Sequence, residues 1–369
     1  MLQEYFSGLT DVRQSGKIRH NLLEVVVMTI CAVIAGCDVW EDIVDFCRVK
    51  EKWFIESLNM KLENGIPSHD TMQRIWGMIL PEEFERCFRS WVASVCRPTS
   101  GEIISIDGKS IRGSADQEKS PIHMVSAWAH HQQLVLGQLA TDEKSNEITA
   151  VPNLLDMLDI AGCIITADAI SCQKGIARRI TEKEADYVLG LKDNQPTLRR
   201  EAEEYFTAAL EDRNLYPEIK HTQTSEKGHG RIEIRDYSLT ADLGWLSGRA
   251  QWSGLSGLGM VHATVTAGEK VTQEHRFYIT SLTSVERFAE AVRAHWGIEN
   301  SLHWCLDMTF HEDYSRIRKD HSAENIAVVR HLALDILKQY PEKISLSRKR
   351  RRCAYDDAFL ANVLRFVHA

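Results

Sequence analysis

The order in which apolar patterns follow one another between residues 102 and 210 limits most severely what this chain can fold into. Glu102 to Asp107 is a short β-branched run ending in Asp107-Gly108. Ile122 to His130 and Gln133 to Thr141 read as two more strands, separated by a polar turn at His130-His131-Gln132. A helix is expected over Glu147 to Leu158, with Leu154, Leu155 and Leu158 on its apolar side. Gly162 to Asp168 is continuously apolar, as befits a strand covered on both faces. Ser171 to Glu182 reads as helix, Ala185 to Leu191 as another buried strand, and Pro196 to Leu210 as helix again. The resulting order, β-β-β-α-β-α-β-α, means three hairpin-joined strands followed by crossover units, hence an α/β fold with a mixed sheet and helices on its faces. Doubly wound nucleotide-binding sheets open with βαβ instead, which sets that class aside.

The flanks differ in character. Residues 1–97 read as an all-helical N-terminal domain. Leu22 to Gly36 is a buried-looking helix, and Trp40 to Leu58 carries Ile43, Phe46, Trp53 and Phe54 at loosely helical spacing. After the turn Asn64-Gly65-Ile66-Pro67, Ser68 or Asp70 can cap a helix bearing His69, Gln73 and Arg74. That pair is either a DNA-reading element or plain helical packing. Pro81 opens a further helix at a position that tolerates it. Pro98-Thr99-Ser100-Gly101 is the linker into a second domain, 98–369. Within it, residues 220–280 turn β-rich, with strands expected at Arg231 to Leu239, Met260 to Ala267 and His275 to Thr280, and read as an insertion. A capping box, Thr283-Ser284-Val285-Glu286, starts a strong helix, and Ser322 to Gln339 is the last long one.

Bulk properties exclude some classes. The longest apolar run, Leu22 to Ala35, is interrupted by Glu24 and too short to span a bilayer. It follows Asp11, Arg13, Lys17 and Arg19 without a cleavage pattern, so a cytoplasmic protein is expected. The nine cysteines form no C-x-x-C pair and several lie in apolar stretches, which suits free buried thiols. The net charge of −8 does not favour nucleic acid, but the run Arg348-Lys349-Arg350-Arg351-Arg352 is locally basic. It is either a solvated tail or a phosphate-binding cluster.

The chemistry concentrates in three acids. Asp107 and Asp168 end strands that neighbour each other in a sheet of this order, so their carboxylates should emerge side by side. Two carboxylates that close repel, and burial raises the penalty, which a divalent cation relieves. On the helix after Thr283, Phe288, Val292, His295, Trp296, Glu299, Leu302 and His303 share a face. A carboxylate on so apolar a face needs a partner or a metal, and Glu299 would supply a third oxygen. Three carboxylates suit Mg²⁺, with Mn²⁺ able to substitute, and two such ions can serve one phosphoryl centre. The spacing His295-x₃-Glu299-x₃-His303 also invites zinc, but no second helix offers matching ligands.

Several blocks carry a resemblance. They include Trp40-Glu41-Asp42-Ile43, Asn64-Gly65-Ile66-Pro67-Ser68-His69-Asp70-Thr71, Ile106-Asp107-Gly108-Lys109-Ser110-Ile111-Arg112, Thr141 to Ile148, Thr166-Ala167-Asp168-Ala169-Ile170-Ser171-Cys172-Gln173-Lys174, Lys192-Asp193-Asn194-Gln195 and Gly228 to Glu233. The most specific is His295-Trp296-Gly297-Ile298-Glu299-Asn300-Ser301-Leu302-His303-Trp304, followed by Leu306-Asp307 and Glu312-Asp313. In shared order and spacing over nearly the whole chain, these resemble the H-repeat-associated transposases, bacterial insertion-sequence proteins of the DDE superfamily with an RNase H-like catalytic domain.

The resemblance implies a catalytic, metal-binding triad of Asp107, Asp168 and Glu299. It also implies a β insertion before the glutamate, Mg²⁺-dependent cleavage at element ends, and strand transfer into target DNA. The partners implied are double-stranded DNA, both terminal inverted repeats and target, and a second copy of the chain as a homodimer on DNA. The setting implied is the bacterial nucleoid. Related families place Tyr, Arg and Lys around the glutamate where this chain has Val292, His295 and Leu306, and Met-Gly where it has Ile170-Ser171. A descendant that binds DNA without cutting it, or a nuclease without strand transfer, therefore stays open. Lys109, Arg112, Lys192, His295, Arg316 and Arg318 are the expected contacts to DNA phosphates, which fix position without reading sequence.

Overall fold

In the computed structural model the described residues are 2–366, apart from 97, 116–119, 142–145 and 229. Part of the Thr141 to Ile148 block, and His229, thus lie outside the described residues.

The N-terminal stretch is helical because its apolar positions recur at helical spacing, and Asn21 and Ser68 cap two of its helix starts. α1 (Leu2–Phe6), α2 (Leu22–Ile34), α3 (Trp40–Val49), α4 (Glu51–Leu58), α5 (His69–Met78) and α6 (Pro81–Val95) follow in order. The Asn21 side chain accepts from Glu24 N at 3.2 Å and starts α2. From Val25 to Ile34 every residue of α2 is buried, so a helix apolar on all sides becomes the centre of the helical lobe. The expected Trp40 to Leu58 helix is broken at Lys50, which is buried and paired with Asp357.

The sheet follows the expected order. β1 (Ile103–Ile111), β2 (Ile122–Ala129) and β3 (Leu134–Thr141) form antiparallel pairs, then α7 (Glu147–Asp156), β4 (Ile164–Ala167), α8 (Lys174–Glu182), β5 (Asp186–Leu191) and α9 (Pro196–Glu211) alternate. β4 lies parallel to both β1 and β5. Spatially the strands run β3-β2-β1-β4-β5, the RNase H-like arrangement.

The β-rich region is larger than its sequence pattern suggests. β6 (Lys220–Gly228), β7 (Arg231–Thr240), β8 (Gly257–Ala267) and β9 (Lys270–Thr280) form a meander, and β9 pairs antiparallel with β5. The insertion therefore extends the main sheet to nine strands among the described residues. β6 escaped notice because its residues, Lys-His-Thr-Gln-Thr-Ser-Glu-Lys-Gly, are almost all exposed and carry no apolar alternation.

α10 (Val285–Ile298) begins one residue later than the capping box suggests. Ser284, not Thr283, is the cap, accepting from Arg287 N at 3.2 Å. After α11 (Trp304–Thr309), α12 (Ser322–Gln339), α13 (Leu346–Tyr355) and α14 (Asp357–Phe366) close the chain. α12 packs on α2, α5, α6 and β3, so one hydrophobic core runs through the helical lobe and the sheet face beneath it. No helix of the described residues is long and apolar enough to cross a membrane. All nine cysteines are unpaired, and eight are buried.

The basic run is neither solvated tail nor phosphate cluster throughout. On α13, Lys349 and Arg350 are buried. Lys349 Nζ donates to Leu337 O at 2.7 Å and to Tyr340 O, at the end of α12. Arg350 donates to Val33 O at 2.8 Å near the end of α2, to Thr309 O at the end of α11, and to Asp38 Oδ1 at 2.7 Å. Cations thus donate to carbonyls at the C-terminal, electronegative ends of three helices. Arg348 and Arg351 remain exposed.

Candidate active site

Strand register creates the site. β1 and β4 pair in parallel only as far as Ile106 opposite Ala167. The next residue on each chain is an aspartate, so Asp107 and Asp168 leave that pair together, at the carboxyl end of adjacent parallel strands where α/β sheets form their clefts. Asp107 does not end its strand, as the sequence suggests. β1 continues to Ile111 because β2 keeps pairing with it, Asp107 lying opposite Ser126. Asp168 does leave the sheet, and its Oδ1 accepts from Ile170 N at 3.0 Å, capping a turn at Ala169–Ser171. Asn194 and Gln195 secure that turn by donating to Ala169 O at 2.6 Å and Cys172 O at 3.0 Å. This gives the Lys192-Asp193-Asn194-Gln195 block a structural role.

Glu299 arrives from the other side. Where α10 ends, the helix widens into a π turn over Glu299–His303 before tightening again as α11. Such turns insert an extra residue into the helical ladder and are frequent at functional positions. Here the turn puts His303 Nδ1 3.4 Å from Glu299 Oε2 and 3.7 Å from Asp107 Oδ2. One ligand atom from each of Asp107, Glu299 and His303 lies within 4.8 Å of the others. Asp107, Asp168 and Glu299 all line one cleft of about 540 Å³.

The electrostatics are those of an unbalanced site. Burial pushes the Asp107 carboxyl up to about 6, the neighbouring Glu299 and Asp168 adding to the rise against the opposing effect of His303. Glu299 sits below its usual range because it shares a hydrogen bond with His303. Burial pushes His295 down to about 4, so it is neutral near pH 7. Its Nδ1 lies 3.0 Å from Thr166 Oγ1. Behind Asp107, the buried pair His123 and Glu147 (2.5 Å) presses on Gly108, where a Cβ would fall 2.2 Å from His123 Nε2. Only glycine fits beside this aspartate.

Of the expected DNA contacts, Lys192 and His295 join the cleft wall. Lys109, Arg112, Arg316 and Arg318 are not among its lining residues. Lys109 is instead enclosed by Asp307, Glu312 and Asp313 at 2.7, 2.9 and 3.3 Å. Arg112 is 84% exposed near Asp313. Arg316 is exposed, and Arg318 Nε donates to Gly113 O at 2.7 Å. Two cleft arginines escaped the sequence reading. Arg199 lies over the Phe277 ring at 4.3 Å, and Arg276 lies over Trp296 at 4.3 Å while pairing with Glu274 at 2.7 Å. Neither stands near a catalytic block in sequence; β9 brings Arg276 in by pairing with β5.

The model of the "Transposase DDE domain" family matches residues 98–336, and that of the "DDE_Tnp_1-associated" family matches residues 3–92. This chain belongs to the transposase DDE domain family. Among its relatives is the "H repeat-associated putative transposase YhhI" of Escherichia coli (strain K12), 41% identical over 98% of this chain and 97% of that one. The "Putative transposase YncI" of Escherichia coli O157:H7 is 40% identical over 98% of this chain and 94% of that one. A solved piggyBac transposase synaptic complex with hairpin DNA aligns with the whole chain and 79% of its own at 9% identity and a TM-score of 0.42, too loose a likeness to inform the site. Membership implies a divalent metal, and the donor set fits one: oxygen-rich, with a carboxyl held above its usual range by burial and by the acids beside it.

Proposed function

We propose that the chain is an insertion-sequence transposase that cleaves DNA at its element's ends and joins the freed ends to target DNA. The observation that carries this reading is the meeting of Asp107, Asp168 and Glu299, from distant stretches of the chain, in one cleft. These three, with His303 beside them, would hold two Mg²⁺ ions, and Mn²⁺ in their place. Bound there, the ions supply charge neutralisation at the scissile phosphate and at the attacking and leaving oxygens.

The protein's own contribution is positioning, which dominates phosphoryl transfer. Lys192, Arg199 and Arg276 offer positive charge along the cleft wall to a phosphate backbone. Neutral His295 offers hydrogen bonding without charge. Water attacks the phosphodiester and leaves a 3′-hydroxyl; that hydroxyl then attacks a target phosphodiester and displaces the target strand's own 3′-oxygen. Residues 1–97 form the DNA-end-binding helical domain in this reading, with exposed His69 and Arg74 on α5 facing solvent, and 98–369 the catalytic domain. Two ends cut in concert call for a homodimer.

A second reading, a descendant that binds DNA without cutting it, is favoured by Val292 and Leu306, both buried and apolar where related families carry polar groups. Incubating the full chain with Mg²⁺ and a plasmid bearing the element's inverted repeats separates the two. Nicks at the repeat ends and joined products are expected; binding without nicks would leave the second reading, and nicks never joined would indicate a plain nuclease.

A further inference from the structure

Lys109 leaves β1 on the same face as Asp107, two residues earlier, because strand side chains alternate. Its ammonium has three donors and meets three carboxylates: Asp307 at 2.7 Å, Glu312 at 2.9 Å and Asp313 at 3.3 Å. Asp307 lies on α11, which continues directly from the π turn bearing Glu299 and His303. Glu312 and Asp313 lie in the turn that follows. The end of β1 grips that turn in a second way. Arg112 N donates to Asp313 Oδ1 at 3.1 Å, and Gly113 packs so closely that a Cβ would fall 2.2 Å from Ser315 O.

We propose that Lys109 is a positioning residue for the cation site, tying the strand that carries Asp107 to the helix that carries Glu299 and so setting the gap between those carboxylates. The inference rests on the cleft being a divalent-cation site. A tie is needed for two reasons. Carboxylates that approach one another repel until a cation arrives. The π turn is also an irregular joint, at the very point where β1 has outrun its β4 partner. Lys109 cannot serve as a phosphate contact while so held: its side chain is 11% exposed, and the Glu312 carboxylate beside it is 2% exposed. Metal sites depend on such supporting contacts, whose loss typically weakens affinity about 10- to 100-fold.

The sign of the effect separates a tie from a mere charge. Removing a cation near a cation site strengthens metal binding by Coulomb attraction, whereas removing a tie weakens it. Mn²⁺ binding to the full chain would be followed by electron paramagnetic resonance in about 1 M salt, where the screening length is about 3 Å. Thermal unfolding in chelator would monitor the fold. Saturable binding by the unaltered chain tests the cation site itself, and its absence would overturn that reading along with the inference. Given that binding, Lys109→Met is expected to weaken Mn²⁺ affinity about 10- to 100-fold, with Lys109→Arg restoring most of it. The double variant Lys109→Met/Asp307→Leu, which removes the tie without changing net charge, is expected to act like Lys109→Met and keeps the test open should that variant not fold. Unchanged or tighter Mn²⁺ binding in either folded variant would overturn the tie.

Discussion

Two regions of this molecule take charge out of water, and they do so with opposite balance. On α13, Lys349 and Arg350 are buried, yet each ammonium or guanidinium proton in reach finds a helix-end carbonyl or the Asp38 carboxylate. In the cleft, Asp107 and Glu299 gather with His303 within 4.8 Å of one another, and Asp168 lines the same cleft, whose basic residues Lys192, Arg199 and Arg276 also stand on its wall. The first arrangement is complete within the chain, and so it is architecture. The second is not closed in the same way: burial above all, with the neighbouring acids, pushes Asp107 up to about 6, a strain that a divalent cation would relieve. Whether a buried charge is structural or functional thus depends on whether the chain itself balances it.

The comparison can be broken most decisively at the cleft. Asp107→Asn, Asp168→Asn and Glu299→Gln should each reduce DNA cleavage about 10³-fold, several kcal/mol of transition-state stabilisation, while circular dichroism stays unchanged. A variant retaining near-normal turnover would remove that residue from the site. At α13 the expectation is reversed. Arg350→Ala removes a buried guanidinium that joins Val33 O, Thr309 O and Asp38, leaving Asp38 half-buried with His311 alone, and should lower unfolding free energy by about 3 kcal/mol in denaturant titration. DNA affinity of the protein that remains folded should not change.

A smaller effect tests the imbalance itself. Because the folded Asp107 carboxyl titrates near 6 rather than 3.8, the native state holds a proton that the unfolded chain has released between those values. The group therefore loses stability for the fold as pH rises through that window, and the loss is complete above about pH 6. In chelator, Asp107→Asn should unfold like the parent near pH 4 and be more stable above pH 6, by on the order of 1 kcal/mol. Equal stability across that range would mean the carboxyl is not perturbed, and saturating Mn²⁺ should reverse the order by stabilising only the parent. The smallest change is expected from Arg316→Ala, an exposed residue whose loss should move stability by less than about 0.5 kcal/mol. If it touches a DNA phosphate, the salt dependence of binding falls by about one unit of slope; if not, the slope stays the same.

The legibility of this chain varied with the range of the interaction that mattered. The strand and helix order from β1 to α9 was readable because periodicity is a local property. Asp107, Asp168 and Glu299 were readable as candidates because each stands at a junction in that order. Lys109 was misjudged for the same reason: its nearness in sequence to Asp107 suggested a phosphate contact, while its three acidic partners lie roughly two hundred residues away. The basic run was misjudged because the carbonyls it satisfies belong to three separate helices. Arg276 and His123 gave no local signal, and Glu147 and Arg199, although in or near singled-out blocks, showed nothing in sequence of the partners they meet in space.

By itself, then, the sequence determined the order of elements from β1 to α9 and the acids worth watching, since these follow from side-chain patterns a few residues long. Tertiary structure alone decided which charges are neutralised inside the protein. It ran β1 past β4 at Asp107, opened the helix at Glu299 into a π turn, and extended the sheet through β9 to bring Arg276 to the cleft. The physical reason is that a charge is settled by what surrounds it in space, and only folding chooses those neighbours.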